Sequence, residues 1–400
     1  MTQELRLGFV ALTDAAPLIV AKELGFAEEE GLNLILAREK SWSSIRDKLA
    51  YGVFDAAHML APMAIAMSLG LGPVPGKVDV PFVLNLNGNA FVANADLAEK
   101  LTAQGAVFGD PQSFATALRA VSMTAPIRVA VPFLTSMHVA MLRFLVTRSG
   151  ARASDIFDFV VSPPSLIETV LNSGEVDAFM VGAPWGNHAV ENGAGQLMLT
   201  SNLIWQGAPE KVLALRNDWL EQNLDATGQL IRALYRAAEW ASRPENFTTL
   251  SEILSRARYL DVHADIIEQM VKGQVTLDST GNLTAQKLGL RFGGGEVSFP
   301  WKSAAVWIAE HEAPHWGVPR PVAHQAARDA FRTDIYRQAL GLLDVALPSG
   351  SEKLEGSLSV PTSVPASKDL ILGPDAFFDG SIFDPAEKIG TKNTTTRLTF

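Results

Sequence analysis

Short apolar runs alternate with stretches of helical periodicity through the front half of the chain. Leu5–Leu12 reads as a strand. Thr13 or Asp14 can cap a helix from Ala15 to about Leu24, closed by Gly25, with Pro17 tolerated in its first turn. Leu32–Ala37 reads as a second strand, and Ser41-Trp42-Ser43 opens a helix over Ser44–Tyr51 that Gly52 ends. Ala56–Met59 is a short strand running into Pro62 and an apolar helix to Leu69. This βαβ alternation predicts a mostly parallel sheet with helices on both faces.

Gly70–Lys77 is a Gly/Pro linker, followed by the apolar run Val80–Leu86, the turn Asn87-Gly88-Asn89, and Ala90–Ala93. The alternation then repeats. Ile127–Val131 is a strand, Thr135 or Ser136 caps a helix to about Ser149, and Phe157–Val161 is a strand. Pro164–Asn172 is a helix, and Val176–Val181 a strand entering Gly182-Ala183-Pro184-Trp185. From about Asp218 the pattern is helical, over Leu220–Ser242, Phe247–Tyr259 and Ala264–Val271. After Leu347 the Ser, Pro and Gly content predicts a wrapping tail with little regular structure. Two α/β lobes are therefore expected. Residues 1–93 and 215–400 should form lobe one, and 94–214 lobe two.

The length fits that division, since 400 residues and 43.0 kDa exceed one ordinary core. Lys+Arg 33 against Asp+Glu 43 gives −10, which disfavours a chain that coats nucleic acid or anionic lipid. With Cys 0 there is neither a thiolate metal site nor a cysteine nucleophile. The start MTQELR carries Glu4 and Arg6, and the apolar run behind it is broken by Thr13-Asp14 and Pro17, so it does not read as a secretory leader. No window approaches the roughly 20 apolar residues of a membrane span. The expectation is a cytoplasmic protein.

Several motifs look catalytic and fail on their chemistry. His311-Glu312-Ala313-Pro314-His315 has the spacing of a zinc protease helix. Pro314 removes a helical N–H and biases Ala313 away from helical angles, so a helix end with exposed histidines is expected instead. Gly70–Lys77 lacks the first glycine of a phosphate loop, where Leu71 stands, and Val78 replaces the magnesium-binding hydroxyl. Gly293-Gly294-Gly295 opens no strand–helix unit and reads as a turn. No nucleophile elbow or carboxylate pair stands out, so no catalytic residue, cofactor or metal is expected.

Four strand-to-helix junctions share one character: Thr13-Asp14, Ser41-Trp42-Ser43, Thr135-Ser136-Met137-His138 and Gly182-Ala183-Pro184-Trp185. Helix N-termini present unpaired amides, and in open α/β sheets ligands bind beyond the carboxyl ends of the strands. Trp42 and Asn89 add N–H donors, His138 can donate from a ring nitrogen, and Lys211 supplies positive charge. A small planar oxyanion has only acceptors, so a donor-lined site suits it. Buried carboxylates are not expected in this set, and His58 reads as a buried, hydrogen-bonded core residue.

The segments LRLGFVALTDAAPLIVAKELGF, SWSSIRDKLAYGVFDAAHMLAPM and NLNGNAF, followed by VDAFMVGAPWGNHAV, WQGAPEKVLALRNDWL and SIFDPA, resemble the nitrate-binding family of class II solute-binding proteins. The resemblance spans nearly the whole chain and is most specific over 5–95 and 176–220. It implies a two-lobed α/β class II periplasmic-binding-protein-like fold with a cleft between the lobes. It places the ligand contacts on Trp42, Asn89, His138, Gly182 and Lys211. At 89 the nitrate transport relatives carry the longer glutamine, and at 183 relatives often carry glutamate. In the bicarbonate branch a calcium-recruiting glutamate takes the place of Lys211, so a lysine here implies nitrate or nitrite without a metal. The chain also resembles the leaderless cytoplasmic nitrate/nitrite sensor branch (NasS type). That branch holds an ANTAR-type RNA-binding antiterminator (NasT type) inactive and releases it when the anion binds. The alternatives are the binding component of a nitrate ABC transporter and an enzyme of the same fold related to thiamin pyrimidine synthesis.

Overall fold

Gln3–Val10 (β1) pairs in parallel with Leu32–Glu39 (β2) on one side and Ala56–Leu60 (β3) on the other. The computed structural model describes residues 2–286 and 289–387. Val78–Leu86 (β4), a fully buried run, completes this sheet, but it does not pair with β3 directly. Between them lies Pro209–Arg216 (β10), antiparallel to both, so the strand order is β2-β1-β3-β10-β4.

The second sheet repeats that plan. Asn89–Ala93 (β5), Ile127–Val131 (β6), Phe157–Val161 (β7), Ala178–Gly182 (β8) and Gln196–Thr200 (β9) lie in the order β7-β6-β8-β5-β9. β6 runs parallel to β7 and β8, and β5 is the antiparallel member. In each sheet the antiparallel strand, β10 in the first and β5 in the second, is the one that directly follows a crossing from the other lobe.

The expected boundaries at 93/94 and 214/215 fall one strand late. β5 belongs to the second sheet and β10 to the first, so the chain crosses at 87–88 and again between 201 and 208. Asn87 (φ 56°) and Gly88 (φ 99°) are consecutive left-handed residues there, and a Cβ on Gly88 would meet Leu290 Cδ1 at 2.9 Å. Asn85 braces the crossing: its Nδ2 donates to Asn87 O at 2.8 Å and its Oδ1 accepts from Lys211 N at 3.1 Å. The run Pro209-Glu210-Lys211 looks like a polar loop in sequence, and only burial against both neighbours makes it strand.

The helices of the front half form near their expected positions. Ser41 accepts from Ser44 N to cap Trp42–Ala50, and Ser136 accepts from Val139 N to cap Met137–Arg148. Thr13 and Asp14 do not cap by side chain; they form a single 3-10 turn ahead of the helix Ala16–Glu23. Helices over Ala95–Ala103, Pro111–Val121, Arg320–Ala330 and Thr333–Leu340 were not expected from the pattern.

The zinc-protease look-alike requires a correction. The helix Lys302–Trp316 runs through Pro314, because the Glu310 carbonyl that the missing N–H would have served accepts from Arg320 Nε at 3.2 Å instead. His311 is not an exposed end residue: its Nδ1 lies 2.8 Å from Trp307 O and its ring packs on Phe144. Glu312 is buried and pairs with Arg143.

The described part of the tail is a strap with a short strand pairing, Thr362–Val364 against Leu370–Leu372, and isolated bridges such as Pro348 to Ala366 and Glu355 to Phe383. It crosses the second inter-sheet connection, where Phe378 N donates to Ile204 O at 2.9 Å and Gln206 N to Ala376 O at 3.0 Å. Residues 388–400 of the expected tail lie outside the described residues. Among the described residues no helix is long and apolar enough to cross a membrane.

Candidate functional site

The carboxyl ends of β1, β2, β6 and β8 converge with the amino ends of the antiparallel strands β5 and β10. β1 ends in the turn carrying Asp14, β2 leads to Trp42, β6 to His138, and β8 ends at Gly182. Asn89, the first residue of β5, pairs across the sheet with Gly182. Lys211 opens β10 opposite Leu60 and Asn85. All five residues expected at a ligand site are therefore brought together, and Trp42, Asn89, His138 and Lys211 are each at most 1% exposed.

The centre of the cluster is an ammonium group. Lys211 Nζ lies 2.8 Å from Glu210 Oε1, 3.0 Å from Asp14 Oδ2 and 5.5 Å from the centre of the Trp42 ring. Asn89 Nδ2 donates to Glu210 Oε2 at 2.7 Å, and His138 Nδ1 stands 3.6 Å from Glu210 Oε1. On the other flank His58 Nδ1 accepts from Val10 N at 3.4 Å, and its Nε2 lies 2.8 Å from Asp14 Oδ1. The Trp42 and His58 rings are 5.2 Å apart.

This arrangement overturns the expectation of a site without carboxylates. Asp14 and Glu210 are both buried beside Lys211, and His58 belongs to the cluster as well as to the core. Asp14 was hidden because an acidic residue before a helix is an ordinary cap candidate. Glu210 was hidden because neighbouring residues of a strand point to opposite faces. Here the pairing of β10 with β4 shifts register around Lys211, and this irregularity brings both side chains to the same cluster.

Burial and charge act against each other throughout. Burial would raise the Asp14 carboxyl, but Lys211 and His58 outweigh it and hold Asp14 below the usual carboxylate range. Burial pushes Glu210 up, and Lys211 offsets this only in part. Burial would lower Lys211, but Asp14 and Glu210 overcome it and keep the ammonium charged. Both histidines are pushed down by burial, His138 well below the ordinary value with Lys211 adding to the effect, so both rings are neutral near pH 7.

Several polar atoms here have no hydrogen-bond partner in the protein: Trp42 Nε1, Asn89 Oδ1, Thr13 Oγ1 and both ring nitrogens of His138. Buried polar groups are nearly always paired with protein or ordered water, so these atoms are free to meet water or a small polar ligand. A Cβ on Gly182 would lie 3.4 Å from Leu12 Cδ2 and 3.5 Å from both Asn89 Oδ1 and Asp14 Oδ2, so the glycine keeps this space open. The lobes also join beside it. Thr13 N donates to Ala183 O at 2.9 Å, and Trp185 Nε1 reaches across to Ala11 O at 2.9 Å. In the open groove bordered by Lys77, Glu221, Lys302 and Arg332, Arg332 is paired with Asp79 and Asp334.

A model of the NMT1-like family matches residues 1–255. The chain belongs to that family. It is 30% identical over 390 residues to the nitrate/nitrite binding protein NrtA of Synechococcus elongatus, across 95% of this chain and 83% of that protein. It is 25% identical over 406 residues to the bicarbonate-binding protein CmpA of the same organism, across 95% of this chain and 84% of that one. The crystal structure of the periplasmic nitrate-binding protein NrtA from Synechocystis PCC 6803 superposes with a TM-score of 0.83 at 26% identity, covering 96% of each chain. At 16% identity and a TM-score of 0.64, a Staphylococcus aureus ABC-import ligand-binding component shares the fold. The architecture of this NMT1-like protein is thus the two-lobed class II periplasmic-binding-protein-like fold. NrtA and CmpA are binding proteins by name, not enzymes.

Proposed function

We propose that this chain binds nitrate or nitrite between its lobes, with Lys211 as the charge and Trp42, His138, Asn89 and Gly182 forming the walls. The observation that carries the reading is Lys211 itself: a fully buried ammonium 5.5 Å from the centre of the Trp42 ring, in a cluster where Trp42 Nε1 and the His138 nitrogens have no hydrogen-bond partner in the protein. Buried lysines are costly, and retaining one beside unpartnered donors makes sense where the oxygens of a small anion complete the hydrogen bonding. The nitrate-binding names of the similar proteins support this choice of anion over bicarbonate, as does the lysine at 211. Isothermal calorimetry with sodium nitrate, sodium nitrite and bicarbonate tests it; saturable binding of bicarbonate alone would reverse the assignment.

For the physiological role we favour a cytoplasmic nitrate/nitrite sensor that sequesters an ANTAR-type RNA-binding antiterminator and releases it when the anion binds. Two features support it. The lobes touch beside the site through Thr13–Ala183 and Trp185–Ala11, contacts through which an anion there would bear on how the lobes meet. The net charge of −10 leaves RNA contact to the partner. Coupling is reciprocal: a nitrate affinity difference between free and partner-bound forms must appear as an equal change in partner affinity, about 5- to 150-fold for a typical coupling. The runner-up is the binding component of a nitrate ABC transporter, which the NrtA names favour. Size-exclusion chromatography of the purified pair with and without nitrate separates the two. A complex equally stable at saturating nitrate and nitrite returns transport to first place.

A further inference from the structure

Glu210 presents the proposed anion site with an accounting problem. Three charges are buried together, one ammonium on Lys211 and two carboxylates on Asp14 and Glu210, while both nearby histidines are neutral. With both carboxylates ionised the cluster is already at −1, and an anion would make it −2 in a desolvated space. Such an excess is relieved by taking up a proton rather than endured. Asn89 compounds the problem. Its Nδ2 is spent on Glu210 Oε2 at 2.7 Å, which leaves the acceptor Oδ1 facing Gly182 and Asp14. An acceptor aimed at an oxyanion repels it.

One change resolves both. We propose that the site takes up one proton at Glu210 for each nitrate it binds, and that this proton turns the Asn89 amide from an acceptor into a donor toward the anion. Once Glu210 Oε2 carries a proton it donates to Asn89 Oδ1, which requires the amide to rotate by half a turn. Nδ2 then occupies the position Oδ1 holds now and points at the ligand. The balance is protein, nitrate and one proton from solvent giving the complex, with no bond broken in the anion.

The geometry assigns the proton to Glu210 among its neighbours. Lys211, on the same strand, is already an ammonium. Asp14, from the turn after β1, has Lys211 at 3.0 Å and His58 at 2.8 Å, and these two hold it ionised. His138, from the helix Met137–Arg148, stands 3.6 Å from Glu210 Oε1 and is deeply buried beside Lys211, which opposes a second positive charge. Glu210 alone combines full burial, a carboxylate and an amide partner able to reverse its role.

This inference rests on nitrate binding at the cluster, and the test separates the two. Calorimetry with sodium nitrate in chloride-free buffers of differing ionisation enthalpy, from about pH 6 to about pH 9, reads proton uptake directly. The expected result is uptake approaching one proton per nitrate at the alkaline end, with affinity falling about tenfold per pH unit there. Glu210→Gln carries a permanent N–H donor in the place of the proton. It should show no uptake and a flat affinity, binding nitrate more tightly than the wild type at about pH 9. Wild-type binding without uptake overturns the proposal and leaves the site reading intact. Uptake that persists in Glu210→Gln moves the proton to His138 and also overturns it. Absence of nitrate binding at every pH overturns both.

Discussion

Lys211 Nζ lies 3.0 Å from Asp14 Oδ2, so the turn after the first strand and the start of the tenth meet through a buried ion pair. Each partner depends on the other, since both are buried and an uncompensated buried charge is costly. Lys211→Met should therefore destabilise the fold by about 3–5 kcal/mol, the usual cost of leaving a buried charge unpaired. Adding Asp14→Asn should recover much of that loss without restoring nitrate binding. Urea denaturation of the two variants checks the first part, and nitrate titration the second.

Trp42 offers a separable contact. Its Nε1 has no partner in the protein, while its ring packs at 5.2 Å from His58. Trp42→Phe keeps most of the ring and removes the donor. Nitrate affinity should drop about 10- to 100-fold, the range of a hydrogen bond to a charged group, while thermal stability is held or raised because an unpaired buried N–H is gone. An unchanged affinity would take Trp42 out of the ligand shell.

Gly182→Ala probes the space itself. The added methyl meets nothing closer than 3.4 Å, so the fold should tolerate it. It would nonetheless stand between Asn89 and Asp14, where the anion is proposed to sit. The expected outcome is a melting temperature close to wild type with nitrate affinity reduced at least about tenfold, the cost of displacing one good contact.

Away from the site, Glu312 and His311 titrate in opposition. Burial pushes Glu312 up to about 7 against the pull of Arg143, and burial pushes His311 down to about 4. Folding therefore favours protonated Glu312, whose stabilisation is full below its ordinary value and lost as pH rises toward 7. It also favours neutral His311, whose contribution is full above its ordinary value and lost as pH falls toward 4. In the overlap the two slopes cancel. Glu312→Gln should leave the histidine slope unopposed, so melting temperature falls more steeply than in wild type between about pH 6 and about pH 4.5.

What the sequence reveals about this protein follows local pattern closely. Ile127–Val131 and Phe157–Val161 are strands as their apolar runs predict, and Ser41 and Ser136 cap their helices. β10 was illegible because its polar start, Pro209-Glu210-Lys211, becomes strand only by burial between β3 and β4, and with it the lobe boundary was misplaced. Trp42 and His138 were legible as donors at helix starts, whereas Asn89 and Lys211 sit in strands. Its carboxylates were not, because Asp14 has the local signature of a cap and Glu210 reaches the cluster only through a register shift. The path of the helix through Pro314 likewise depends on Arg320, a partner no local pattern names.

Lys211 and its unpartnered neighbours are the proposed binding site for a univalent oxyanion. Calorimetric titration of sodium nitrate into the wild-type protein and into Lys211→Met/Asp14→Asn tests it most directly, because the second protein keeps the charge balance of the fold while losing the ammonium. The expected result is saturable binding of one nitrate per chain in the wild type and none in the double variant. Equal nitrate affinity in the two proteins, or no binding in the wild type, would contradict it.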